Sequence, residues 1–279
     1  MGYPRKYAFG CSRLLLKNVF LFQKVCYMDK PLILVTNDDG ITAPGIRTLI
    51  RLMKEIGEVV VVAPDSPQSG MGHAITIDNT LYSKKVADGE YSCSGTPADC
   101  VKLGLQELLG RKPDICVSGI NHGSNASINV IYSGTMSAAI EAGIEGIPAI
   151  GFSLCDYGWE ADFGPSEPFV KQIVEEALAH GIPPGVVLNV NIPKTDNGAI
   201  PKGIRVCRQA RANWREKFDK RQSPQGKDYY WLTGTFELLD QGTDTDEHAL
   251  SEGYISVVPT QFDLTAHHAM HQLNSWNLK

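Results

Sequence analysis

The sequence predicts an α/β, doubly wound fold with a β-rich C-terminal extension, and three observations carry that expectation. Over roughly residues 30 to 195, short β-favouring runs alternate with segments of helical periodicity. Those runs are continuously apolar, as in parallel strands covered on both faces. After Pro193 the texture changes to β-like runs separated by polar loops.

"LILVT" (32–36) reads as the first strand. The Asp-Gly pair just after it suits a hairpin turn. However, "APGIRTLIRLMKEIG" spaces Ile46, Leu49, Ile50, Met53 and Ile56 at helical intervals, with Pro44 near its start and Gly57 just past its end, so a helix follows instead. "EVVVVAP" then closes a βαβ unit. "HAITIDNTLYSKKV" and "EYSCSG" predict a β-rich excursion. "TPADCVKLGLQELLG" predicts a helix capped by Thr96, with Pro97 in its first turn.

Next come a strand at "DICVSGI", a helix starting near Ser133 in "SGTMSAAIEAGIEG", a strand at "IPAIGFSL", a helix at "PFVKQIVEEALAHG" and a strand at "VVLNVNIP". In the tail, "IRVCRQARANW", "DYYWLTGTFELL" and "EGYISVVPTQFDLT" are β-like, and a short helix near "AHHAMHQLNSW" closes the chain. This tail is poor in core residues, so it is expected to pack on the main domain or on another subunit.

The expected domains are a disordered or artefactual extension at residues 1–27, a catalytic domain at 28–200 and an oligomerisation extension at 201–279. The N-terminal stretch is basic and partly apolar. Lys17 and Lys24 nevertheless interrupt it, no small-residue cleavage site follows, and Met28 would serve as a start.

With 43% hydrophobic and 20% charged residues, the composition is that of a soluble globular protein. A formal net charge of -5 without a basic stripe argues against duplex nucleic acid as a partner. No stretch is long enough to span a bilayer. The 7 cysteines are dispersed and form no CxxC pair, which points to reduced thiols in a cytoplasmic protein.

In open α/β sheets, ligands bind beyond the carboxyl ends of the strands. The first strand ends there in Asn37, Asp38, Asp39 and Gly40, the second in "PDSPQSGMGH", and "DICVSGI" in "NHGSN" followed by "INVIYSGT". Each loop is rich in oxygen donors and glycine. Adjacent carboxylates raise each other's pKa unless a cation compensates. A hard divalent ion, Mg²⁺ or Mn²⁺, fits Asp38 and Asp39 with Ser69 and Asn121 as neutral candidates.

Such a site leaves room for an anionic phosphate ester. Backbone donors near Gly70, and the Ser133, Gly134 and Thr135 turn at a helix start, are its expected phosphate grips, with Asn37 and Asn125 beside them. Neither a GxxxxGK[ST] loop nor a GxGxxG after the first strand is present. Metal-assisted hydrolysis is therefore the reaction class the residues favour. Singly, the same residues read as turn and cap residues. His73 reads equally well as a structural histidine or an acid, and His267, His268 and His271 as solvated helix residues.

Six ordered blocks, "TNDDGITAPGI", "VVAPDSPQSGMGHAIT", "GTPADCVKLGL", "PDICVSGINHGSN", "IYSGTMSAAIEA" and "EGYISVVPT", together resemble the survival protein E (SurE) family of metal-dependent nucleotidases. The resemblance runs from about residue 31 to about residue 265. It implies a Rossmann-like domain and a divalent-metal phosphatase acting on nucleoside 5′- and 3′-monophosphates, with some members also trimming polyphosphate. It also implies Asp38, Asp39, Ser69 and Asn121 as metal ligands, and a C-terminal extension clasped between subunits of homodimers or homotetramers.

Two positions depart from the family's pattern: Gln68 stands where a basic residue is common, and Ser124 where a proline is common. Competing expectations are a metal-dependent deacetylase, a phospho-acceptor receiver and a non-catalytic nucleotide-binding sensor. The first lacks a histidine adjoining Asp38, and the second lacks a lysine at a later strand end. Arg208, Arg211 and Arg215 are expected to anchor an interface rather than reach substrate.

Overall fold

The computed structural model describes residues 30–195 and 198–278, so the expected extension at 1–27 lies outside the described residues. Its frame is a sheet of 9 strands, most of them paired in parallel. The first half comprises β1 (Leu32–Thr36), α1 (Pro44–Ile56), β2 (Glu58–Pro64), β3 (Ser83–Ala87), β4 (Glu90–Cys93), α2 (Pro97–Leu103) and β5 (Ile115–His122). It continues with α3 (Gly134–Ile144), β6 (Ala149–Leu154), α4 (Glu167–His180) and β7 (Val186–Ile192). The tail adds β8 (Ile204–Val206), β9 (Ala212–Gln222), β10 (Asp228–Leu238), α5 (Asp246–Ser251), β11 (Ile255–Gln261) and α6 (His267–Leu273).

The order across the sheet is β3-β4-β2-β1-β5-β6-β7-β11-β8. From β1 the chain winds one way to β2 and then returns to place β5 on the other side. The crevice at the β1 and β5 carboxyl ends is therefore the topological switch point, where such sheets take ligands.

Both faces of the sheet are covered. On one, Ile46, Leu49, Ile50 and Met53 of α1 and Val170, Ile173 and Val174 of α4 pack on Ile33, Val35, Ile115 and Phe152. On the other, Cys100 and Val101 of α2 and Met136, Ala138, Ala139 and Ala142 of α3 pack on Leu34, Val62 and Cys116. This double cover explains the continuously apolar β1, all of it buried. Each large aliphatic side chain buried in this way contributes roughly 1.5–3 kcal/mol.

Three expectations change. The segment at 74–82 is not a strand: Thr76 N donates to Asp99 Oδ1 at 3.0 Å and Thr96 Oγ1 to the Ala74 carbonyl at 2.7 Å. Bonding to the start of α2 replaces ladder pairing there. The helix capped by Thr96 stops being α-helical at Leu103 and passes into a π-helical turn, Gly104–Leu108. A side chain at Gly104 would press within 3.2 Å of Val62 in the core, so the small residue permits this close approach. Lastly, β5 runs on to His122, so Asn121 sits on the strand end itself.

The tail divides between two places. β11 pairs antiparallel with β7, and β8 parallel with β11, completing the main sheet. β9 and β10 form a separate antiparallel hairpin, with Gln222 opposite Asp228 at its tip and Ala212 opposite Leu238 at its root. The short α5 has no counterpart among the expected elements. Asp246 at its start is fully buried and accepts from Ser127 N and Ala210 N, both at 2.8 Å, tying the tail to the loop after β5.

Candidate functional site

The two acids sit where β1 meets the switch point. Strand pairing fixes Val35 and Thr36 against Val117 and Ser118 of β5, so the chain leaves the sheet with Asp38 and Asp39 aimed along the crevice edge. Asn37 closes the turn by donating from Nδ2 to the Gly40 carbonyl at 2.9 Å, while its Oδ1 is buried without a hydrogen-bond partner. Gly40 adopts a φ of 95°, which a side chain would strain.

Around this turn three other segments close in. The Asp38 carbonyl accepts from Gln68 N at 2.8 Å, which brings the loop after β2, and with it Ser69 and Gly70, beside the acids. Thr135 Oγ1 donates to Asp38 Oδ1 at 2.5 Å. His122 N donates to Asp39 Oδ2 at 3.2 Å. The sequence-predicted loops thus do meet at one edge.

Asp38 is 5% exposed. Burial, then the charge of Asp39, raises its pKa to about 6, against the lowering effect of the Thr135 hydroxyl. Burial also raises Asp39, while the His122 N–H works the other way. Two carboxylates in this setting favour a compensating cation.

The start of α3 is built to approach them. Ser133 caps the helix, accepting from Met136 N at 3.0 Å. At Gly134 an added Cβ would fall 2.6 Å from Asp38 Cβ and 2.8 Å from Oδ2, so only glycine lets the helix end come this close. The first N–H groups of a helix have no intrahelical partner, and those of Gly134 and Thr135 sit beside the acids.

Asn121 donates from Nδ2 to the Gly123 carbonyl at 2.8 Å, which leaves its Oδ1 as an acceptor. Ser69 is exposed on the facing loop. A hard divalent ion fits this donor set of two carboxylates, an amide oxygen and a hydroxyl. Among the described residues, no group of three or more His, Cys, Asp or Glu is arranged to hold a metal.

Asn125 stands deeper, in a buried polar network. Its N–H donates to Asn191 Oδ1 and its Nδ2 to Ser153 Oγ, both at 2.8 Å, and Asn189 Nδ2 donates to its carbonyl at 2.9 Å. These bonds brace the loop that follows β5 and the strand-end Asn121. His73 lies 2.8 Å from Glu141 Oε2, and Lys102 holds the other oxygen at 2.5 Å. It belongs to an ion cluster gathered around the buried Glu141 of α3.

Arg208 pairs with Asp240 at 2.6 Å and Asp244 at 2.9 Å, and Arg215 pairs with Glu237 across the hairpin. His267, His268 and His271 lie on the exposed α6. Sequence reasoning passed over His122, which donates its N–H to Asp39, stacks on Trp159 and donates from Nδ1 to the Gly158 carbonyl at 2.9 Å. Its place directly after Asn121 was the available signal.

Comparison with known proteins bears on the family and the fold. The family model described as "Survival protein SurE" matches residues 33–216. The "5'-nucleotidase SurE" of Christiangramia forsetii is 69% identical over 255 residues, covering 89% of this chain and 98% of that protein. The protein of the same name from Flavobacterium psychrophilum is 68% identical over 256 residues, covering 90% and 99%. Among solved structures, the SurE protein from Aquifex aeolicus superposes with a TM-score of 0.78 at 40% identity, covering 88% of this chain and 98% of that one.

Proposed function

The chain belongs to the SurE family, and from that premise we propose that it is a divalent-metal-dependent phosphatase. Its substrates in this reading are nucleoside 5′-monophosphates, with 3′-monophosphates and short polyphosphate as further ones. The observation that carries the reading is the buried Asp38 beside Asp39 at the switch point, touching both the loop after β2 and the start of α3.

In this account Asp38 and Asp39 hold one Mg²⁺ or Mn²⁺ per subunit, with Ser69 and Asn121 as neutral oxygen donors. The ion, when bound, supplies Lewis acidity and lowers the pKa of a water. Thr135 fixes the Asp38 carboxylate by its 2.5 Å bond, so the carboxylate orients the attacking water. Backbone donors of Gly70, Gly134 and Thr135, with the hydroxyl of Ser133, face the charge that spreads over the phosphoryl oxygens. Asn37 shapes the edge of that cradle, and Asn125 braces the loop behind it.

A second copy of the chain is the expected partner, through the tail. Phe218, Tyr230 and Trp231 are exposed on the hairpin and support an interface there. The free Cys93, Cys100, Cys116, Cys155 and Cys207 support a reducing, cytoplasmic setting. No helix among the described residues is long and apolar enough to cross a membrane.

The test is phosphate release from a panel of nucleoside monophosphates by chelator-treated protein, with and without Mg²⁺ or Mn²⁺. Metal-restored release is the expected result. Nucleotide binding with no release under any metal would identify a sensor instead.

A further inference from the structure

We infer that a cavity between the hairpin root and the phosphate-binding turn is the nucleobase subsite, with Trp214 and Tyr132 as its stacking surfaces. This deepens the nucleotidase reading and rests on it for the identity of the ligand.

The cavity measures about 370 Å³ and is lined by Gly70, Tyr132, Trp214, Glu216, Leu232, Thr233 and Gly234. That volume is within the range of small-molecule pockets. Its position is what assigns the occupant. Tyr132 directly precedes Ser133, the cap of α3, and the Tyr132 carbonyl accepts from Gly72 N at 3.2 Å. Gly70 is two residues beyond Gln68, whose N–H holds the Asp38 carbonyl. One wall of the cavity is therefore continuous with the segments that grip phosphate, and the other wall is the hairpin.

The aromatic walls are prepared differently. Trp214 is half-buried: its Nε1 donates to Asn129 Oδ1 at 2.8 Å, and its ring meets Phe236 edge-on at 5.5 Å. Both contacts fix the indole. Tyr132 is 51% exposed. A large exposed aromatic next to a catalytic turn is a stacking surface for a flat heterocycle, and stacking accepts every base because each has a π-face.

Glycines line both walls of the slot. A Cβ on Gly70 would have nothing within 4 Å, and Gly70 lies on the cavity wall. Gly234, opposite Glu216 on the hairpin, also lines the cavity; an added Cβ there would fall 2.9 Å from the Arg215 carbonyl oxygen, so glycine lets the two strands approach at this point. Glu216 gives the rim an acceptor for the N–H groups of a base edge.

The test compares substrates with and without a base. Trp214→Ala and Tyr132→Ala should each raise KM for adenosine and guanosine monophosphates roughly tenfold, the scale of losing one stacking partner. Values for ribose 5-phosphate should not change, and Trp214→Phe should restore most of the loss. Equal effects on both substrate types, or no effect on the nucleotides, would overturn the assignment.

Equilibrium dialysis with adenosine, which has no phosphate, separates the two readings. Binding that Trp214→Ala abolishes upholds the subsite even where the protein releases no phosphate. Absence of adenosine binding by the wild type, or binding that Trp214→Ala leaves unchanged, overturns the subsite and leaves the hydrolytic reading standing on its own assay.

Discussion

Asp38 illustrates how a candidate functional residue costs stability. Its pKa, raised to about 6 from 3.8, means that ionising it in the folded protein opposes folding by on the order of 3 kcal/mol at neutral pH. The sign follows from the raised value. The protonated form fits the buried site, so the relative stability is present below pH 4 and is lost as pH rises through 6. Asp38→Asn keeps the shape and removes the charge. Metal-free Asp38→Asn protein should therefore melt several degrees higher than the wild type at pH 7, with the difference vanishing near pH 4, while turnover falls by at least about a hundredfold. Thermal melts across pH, paired with a phosphate-release assay, check both halves. Equal melting at pH 7 would contradict the electrostatic account.

At the scale of elements, the site depends on how closely α3 approaches β1. Gly134 is the contact, and the 2.6 Å that an added Cβ would leave to Asp38 cannot be accommodated by rotating a flexible chain end. Alanine is the better helix former by about 1 kcal/mol. Gly134→Ala should thus keep the helical circular dichroism while lowering kcat/KM by tenfold or more through displacement of Asp38. Unchanged kcat/KM would show that this close packing does not position the acid.

Much of this level was legible in the sequence. The run "LILVT", the helical spacing from Ile46 to Ile56 and the Thr96 and Ser133 caps each gave the observed element, because local propensity and burial agreed there. That the strand-end loops meet around Asp38 and Asp39 was also legible, because a doubly wound sheet places them on one edge. What was not legible depends on distant partners. Asp246, 119 residues from Ser127, bonds its backbone, and Asn125 is committed to Asn191 and Ser153 in a network that only the folded sheet assembles. The segment at 74–82 looked like a strand and instead follows the Asp99 carboxylate. His122 was missed because its contact to Asp39 is made by its backbone N–H, so only its place after Asn121, and not its residue type, pointed to it.

For the whole molecule, the tail matters most. β8 and β11 close one flank of the sheet, whereas β9 and β10 form a separate hairpin on which Phe218, Tyr230 and Trp231 are exposed. Burial of such residues is worth more than their exposure in a lone subunit, so a second copy should cover them. Trp231→Glu puts a charge on that surface. It should shift the protein toward monomer in size-exclusion chromatography with light scattering, without unfolding the sheet. An unchanged mass would move the interface elsewhere.

The central claim is that the Asp38–Asp39 pair exists to hold a divalent cation. Titration of chelator-treated protein with Mn²⁺, followed by electron paramagnetic resonance of the free ion, measures this directly. One Mn²⁺ per chain should bind at pH 7.5, with affinity falling as pH drops through about 6, where Asp38 takes up a proton, and Asp38→Asn should not bind. Equal Mn²⁺ binding by the wild type and Asp38→Asn, or no binding by either, would contradict the account.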